Sequence, residues 1–65
     1  MDSEIKTIGQ QLKEAREKSG MTQLELYEKS RITPYTISQL ENGRASANTD
    51  TIQKLQKALG IKFEI

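Results

Sequence analysis

Between Thr22 and Gly43 the chain carries two helix starts and one helix stop, with only three residues left to turn a corner. Thr22-Gln-Leu-Glu25 has the spacing of a capping box: the threonine hydroxyl accepts from the amide three residues on, and the glutamate reaches back to the threonine amide. Thr33-Pro34 is the second start. Threonine is a good N-cap, and proline suits the first helical position, where a missing N–H leaves nothing unsatisfied. A residue before proline is also pushed out of the α region, as an N-cap must be. Asn42-Gly43 supplies the stop, because glycine takes the left-handed conformation freely. Ser30, Arg31 and Ile32 remain to make the turn. Two short helices around so tight a corner predict a helix-turn-helix over about residues 22–43.

The rest of the chain reads as support for that unit. Ile5, Ile8, Leu12, Ala15 and Arg16 share one face at helical spacing, which predicts a first helix over about residues 5–18, stopped by Ser19-Gly20. Met1 to Glu4 have no apolar period and are expected to fray. Gly9 inside this helix costs about 1 kcal/mol against alanine, and its lack of a side chain would admit a close neighbour. The second helix is expected from Gln23 to about Lys29 with Leu26 inward. The third is expected from Pro34 to about Asn42 with Ile37 and Leu40 inward. A polar loop, Arg44 to Ala47, precedes Asn48, the cap of a fourth helix with Ile52, Leu55 and Leu59 on one face and Gly60 at its end. Ile61-Lys-Phe-Glu-Ile65 alternates strictly and reads as a short strand. No linker, repeat or low-complexity segment interrupts this order. The expected fold is one all-α domain over residues 1–65: a compact bundle of four to five short helices with a short extended C-terminal tail.

Composition removes several functions. With 65 residues there is room for one small domain. The chain has no Cys, hence no disulfide and no thiolate metal site, and no His, the commonest general base and nitrogen ligand. Clustered carboxylates and a phosphate-binding glycine loop are also missing, so no enzyme, metal or cofactor is expected. There is no long apolar run for a membrane and no signal-peptide core, which makes the cytoplasm the default compartment. Net charge is only +1, but it is unevenly spread. Up to Glu28, Lys6, Lys13, Arg16 and Lys18 face six acids. From Lys29 on, Lys29, Arg31, Arg44, Lys54, Lys57 and Lys62 face only Glu41, Asp50 and Glu64. The positive excess begins where the turn and third helix begin, a mild sign of a polyanion-facing side.

Three segments together are similar to the DNA-binding domains of the lambda-repressor and Cro type. Ser19-Gly-Met-Thr-Gln23 leads into Leu26 and Glu28-Lys29. Thr36-Ile-Ser-Gln-Leu-Glu-Asn-Gly43 resembles the most characteristic segment of the family, and Ala58-Leu-Gly-Ile61 resembles the end of its fourth helix. The resemblance covers about residues 8–61 and implies that the third helix enters the major groove of duplex DNA. It implies base contacts from Tyr35, Thr36 and Gln39. Glutamine can hold adenine through two hydrogen bonds, and a threonine methyl can touch that of thymine. It implies phosphate contacts from Thr22 and Gln23 at a helix N-terminus, and from Asn42 and Arg44 just past the third helix. It also implies a structural ion pair between Arg16 and Glu41, whose guanidinium and carboxylate suit a bidentate contact. Three positions depart from the pattern: Tyr27 and Thr49 stand where the family has a small residue and a leucine, and Arg31 stands where it has glycine. A left-handed Arg31 would cost about 1–2 kcal/mol.

The tail leaves alternatives open. Ile61, Phe63 and Ile65 need cover. They could fold back on the first and fourth helices, pair as a strand with a second copy as dimer contacts, or precede a further helix. The sequence reading is a sequence-specific DNA-binding transcriptional regulator, a repressor acting as a homodimer on a palindromic operator. Its rival is an antitoxin-like protein-interaction module that keeps the fold and docks through the tail, Leu24 and Tyr27.

Overall fold

Four oxygen-bearing side chains decide where the helices begin. Thr7, Thr22, Thr33 and Asn48 are each in extended conformation and accept a hydrogen bond from the amide three residues on. They open α1 (Ile8–Lys18), α2 (Gln23–Ser30), α3 (Pro34–Glu41) and α4 (Thr49–Leu59) in the computed structural model, which describes residues 7–64. The first helix therefore starts later than apolar spacing predicts. Thr7 and Gln10 form a second capping box, with Thr7 N donating to Gln10 Oε1 at 3.0 Å and Gln10 N to Thr7 Oγ1 at 3.1 Å. A cap fixes extended backbone at Thr7, and that overrides the period running back to Ile5. Ile5 itself, with the expected frayed start at Met1 to Glu4, lies outside the described residues.

The stops follow equally local chemistry. Gly20 and Gly43 have φ of +72°. Past each, two amides return to the last turn: Gly20 N to Glu17 O and Met21 N to Arg16 O, then Gly43 N to Leu40 O and Arg44 N to Gln39 O. This is the double bond pattern of a Schellman ending, and it satisfies carbonyls the helix would otherwise strand. Asn42 serves as the cap of α3 rather than its last residue.

Leu12, Leu26, Ile37, Leu40, Leu55 and Phe63 form the core, one or more from every helix and one from the tail. The α3 helix packs on α1 and α2, and α4 closes the bundle against α1 and α2. Gly9 explains how α1 comes so near. A Cβ built there would overlap the carbonyl oxygen of Leu40, so the α1 backbone lies directly on the end of α3.

Within the chain, residues 61–64 form no strand. They have no backbone ladder: Ile61 N returns to Gln56 O, and the amides of Phe63 and Glu64 go to glutamine side chains. Phe63 N donates to Gln56 Oε1 at 2.8 Å, and Glu64 N to Gln11 Oε1 at 2.7 Å. Gln11 Nε2 returns the bond to Glu64 O at 2.8 Å. The alternation still has a cause: it turns Phe63 into the core and leaves Lys62 and Glu64 outside. Ile61 is half-buried against the same core, and Ile65 lies outside the described residues.

The close approach at Gly9 gives a test whose sign is informative. In an open helix Gly→Ala gains about 1 kcal/mol. Here Gly9→Ala should instead destabilise the domain by about 1–3 kcal/mol, because α1 must move off α3. Denaturant unfolding checks this, and equal or greater stability would mean that the two helices are not locked at Leu40.

Candidate nucleic-acid interface

The corner between α2 and α3 determines how α3 is presented. Arg31 makes that corner with φ 66° and ψ 15°, the left-handed region, and its amide donates to Tyr27 O at 2.7 Å. For a non-glycine residue this conformation costs about 1–2 kcal/mol. Ser30 offsets part of that cost from inside. Its buried hydroxyl donates to Leu26 O at 2.8 Å and accepts from Ile32 N at 3.1 Å, so both sides of the turn are tied to one side chain. Tyr27 lies half-buried against the core, and Thr49 is exposed at the first position of α4.

On α3, Ile37 and Leu40 face the core, which turns Tyr35, Thr36 and Gln39 to the other side of the helix. Tyr35 is 73% exposed, more open than Leu24, the other exposed large hydrophobic residue among the described residues. Thr36 accepts from the Thr33 hydroxyl at 3.0 Å, so its own hydroxyl hydrogen is free to donate outward. Gln39 lies one turn beyond Tyr35, and its side-chain amide makes no hydrogen bond among the described residues. One short helix face thus offers a phenol, a hydroxyl with a methyl, and an unengaged amide. Such a face can exchange paired hydrogen bonds with the edge of a base.

The groups expected at phosphates are less uniform. Thr22 is exposed, and its hydroxyl accepts from Glu25 N at 3.1 Å while its amide donates to Glu25 Oε1 at 2.8 Å. The hydroxyl hydrogen and the amides of Gln23 and Leu24 remain as donors. Arg44 is exposed just past α3 and carries its full charge outward. Two side chains are already committed elsewhere. Gln23 Nε2 donates to Glu41 Oε1 at 3.2 Å, which leaves one N–H for an outside acceptor. Asn42 Nδ2 donates to Ser38 O at 2.9 Å and to Ser38 Oγ at 3.3 Å, so that amide closes α3 and leaves mainly its oxygen outward. The spacing of Asn42 from Ser38 signals this local cap, whereas nothing local signals the Gln23 bond.

Beneath the interface sits a charged cluster. Arg16 Nε donates to Glu41 Oε2 at 2.7 Å and Nη2 to Glu41 Oε1 at 3.1 Å, a bidentate contact. The Arg16 side chain is 12% exposed and that of Glu41 is 4% exposed. Nη1 donates to Met21 O at 2.8 Å, so one guanidinium joins α1, the corner before α2, and the end of α3. The hydrogen bonds Arg16 donates to Glu41, partly opposed by burial and helped by the Glu41 charge, raise the Arg16 pKa above its ordinary value. With Gln23 as a further donor, Glu41 ties the start of α2 and the end of α3 to α1.

Glu41→Ala should lower stability by about 3–5 kcal/mol, because it strands a partly buried guanidinium. Glu14→Ala, on the exposed side of α1, should matter far less. Thermal melts of the two variants separate the cases, and a Glu41→Ala melt within a degree or two of the parent (about the shift from a few tenths of a kcal/mol) would reduce the pair to surface decoration.

Comparison with known proteins adds an independent line. The model of the helix-turn-helix family matches residues 12–65. Multiprotein-bridging factor 1 of Candida albicans is 38% identical over 57 residues, and the endothelial differentiation-related factor 1 homolog of Gallus gallus is 34% identical over 56 residues. These alignments take in 88% and 86% of this chain but only 38% of each relative, so the chain spans well under half their length.

Proposed function

Because this chain belongs to the helix-turn-helix family of DNA-binding domains, in its lambda-repressor and Cro form, we propose that it binds duplex DNA sequence-specifically in the regulation of transcription. In this reading α3 lies in the major groove, with Gln39 and Thr36 against base edges and Tyr35 against a base edge or the sugar–phosphate wall. Thr22, the first turn of α2 and Arg44 hold the backbone on either side, with smaller contributions from Gln23 and Asn42. The observation that carries the reading is the outward face of α3: its polar groups are unengaged or free to donate, while its inner face is fixed in the core. The net charge of +1 sets a modest non-specific affinity, so base contacts carry most of the discrimination.

The resemblance alone implies a free-standing repressor on a palindromic operator. The relatives' names point instead to proteins that bridge others, which favours DNA binding as one part of a multi-protein assembly. Phe63 is spent inside its own chain, so two copies on a palindrome would meet through the spacing of half-sites rather than through a shared strand. A second reading, protein docking without DNA, draws support from Leu24, which is 57% exposed on α2.

Selection from a random duplex pool at physiological salt supplies a preferred site. On that site Gln39→Ala should cost roughly 1–3 kcal/mol and relax the requirement at one base pair, with little change on scrambled duplex. Arg44→Ala should weaken both duplexes alike and reduce the log–log salt slope by about one unit. Equal, non-specific losses in both variants would remove α3 as the reader. No selected site and no salt-dependent binding would favour docking.

A further inference from the structure

The lysine excess of the second half of the chain is not absorbed by the DNA-facing side. A groove of about 430 Å³ runs between the last turn of α2 and α4, lined by Lys29, Ser30, Lys54, Lys57 and Ala58. No residue of α3 or of the loop after it lines this groove. Lys54 and Lys57 stand on the same face of α4 at a spacing of three, with Lys29 across from them on α2. Lys54 meets Asp50 at 3.2 Å, but both side chains are at least half exposed, and such a pair is worth little. Lys29 and Lys57 have no carboxylate at ion-pair distance among the described residues. Lys29 and Lys57 are thus uncompensated among the described residues, and Lys54 is only weakly paired, so the groove favours an anionic occupant.

We propose that this groove binds an acidic peptide segment of a partner protein, leaving α3 free for DNA. Charge complementarity selects the sign of the occupant: three cations line the groove and no acid does. Its shape suits a peptide: the small residues Ser30 and Ala58 line a recess between two helices, the kind of depression in which docking segments lie. Position agrees with this. Thr22 stands at the far end of α2, about 12 Å from Ser30 at 1.5 Å per residue, so phosphates held at Thr22 do not reach the groove. The domain then presents two separate faces, one to nucleic acid and one to an acidic segment, as a bridging role requires.

The test uses the full chain and a fluorescein-labelled peptide of about a dozen residues, with Glu and Asp flanking a single Phe, in the size range of linear docking segments. Anisotropy titrations should give saturable binding that fails when the acids are replaced by Gln and Asn. Lys29→Glu and Lys57→Glu should each weaken the peptide by about tenfold, through like-charge contact. Lys13→Glu, the same charge change on the exposed side of α1, should stay within about twofold, as isolated surface charges do. Saturating the chain with its selected duplex should leave peptide affinity unchanged. Competition by the duplex, or equal losses from Lys13→Glu and Lys57→Glu, would overturn the proposal, as would a lack of saturable binding. Duplex binding by the unmodified chain is read separately, so its absence would count against the DNA reading and not against the groove.

Discussion

One guanidinium holds the arrangement on which the rest of the fold depends. Arg16 reaches Glu41 at two points and the Met21 carbonyl at a third, and Glu41 also accepts from Gln23. The end of α3 is thereby fixed to α1 and to the start of α2 by a planar, directional contact. Such a buried pair adds little net stability over well-packed apolar groups, but breaking it is costly, and its geometry is specific. Gly9, two turns before Arg16 on the same helix, works on the same end of α3, letting the α1 backbone lie on the Leu40 carbonyl. The pair sets direction and the glycine sets distance. An eight-residue helix with two core residues, Ile37 and Leu40, would otherwise have few contacts to define its angle.

That constraint has a functional consequence. A reading helix must be presented within a small fraction of a base-pair step, and loops place side chains less well than packed helices do. The left-handed Arg31 and the buried Ser30 hydroxyl fix the turn into α3, while Arg16 and Gly9 fix its exit. Tyr35, Thr36 and Gln39 then stand on a helix held at both ends. Thr22 and Arg44, the proposed phosphate contacts, stand at or next to those same fixed points. In the proposed reading rigidity and recognition share residues, most plainly at Gln23, whose amide already serves the ion pair.

Most helix limits were legible because caps are local. Thr22, Thr33 and Asn48 announce starts through a single side chain, and Gly20, Gly43 and Gly60 announce stops by accepting positive φ. The start of α1 was legible too, in Thr7 and Gln10, but an apolar period running back to Ile5 obscured it. The tail was not legible. Alternation predicts which side chains face inward, and Phe63 does, yet it cannot name partners for the backbone. Gln11 lies 53 residues away from Glu64 and no local pattern links them. The reader positions could be assigned only through the family resemblance. The engagement of Gln23 and the lysine groove both depend on how α2 crosses its neighbours, which a single sequence does not encode in any short window.

The most direct measurement is an amide chemical-shift map of the isotope-labelled chain titrated with its selected duplex. The account predicts that the largest shifts fall at Thr22 and Gln23, along α3 from Tyr35 to Gln39, and at Arg44, while the amides of α1 and of Lys54 and Lys57 stay near their free positions. Largest shifts on α1 or α4, with α3 unmoved, would contradict the assignment of α3 as the DNA-reading helix.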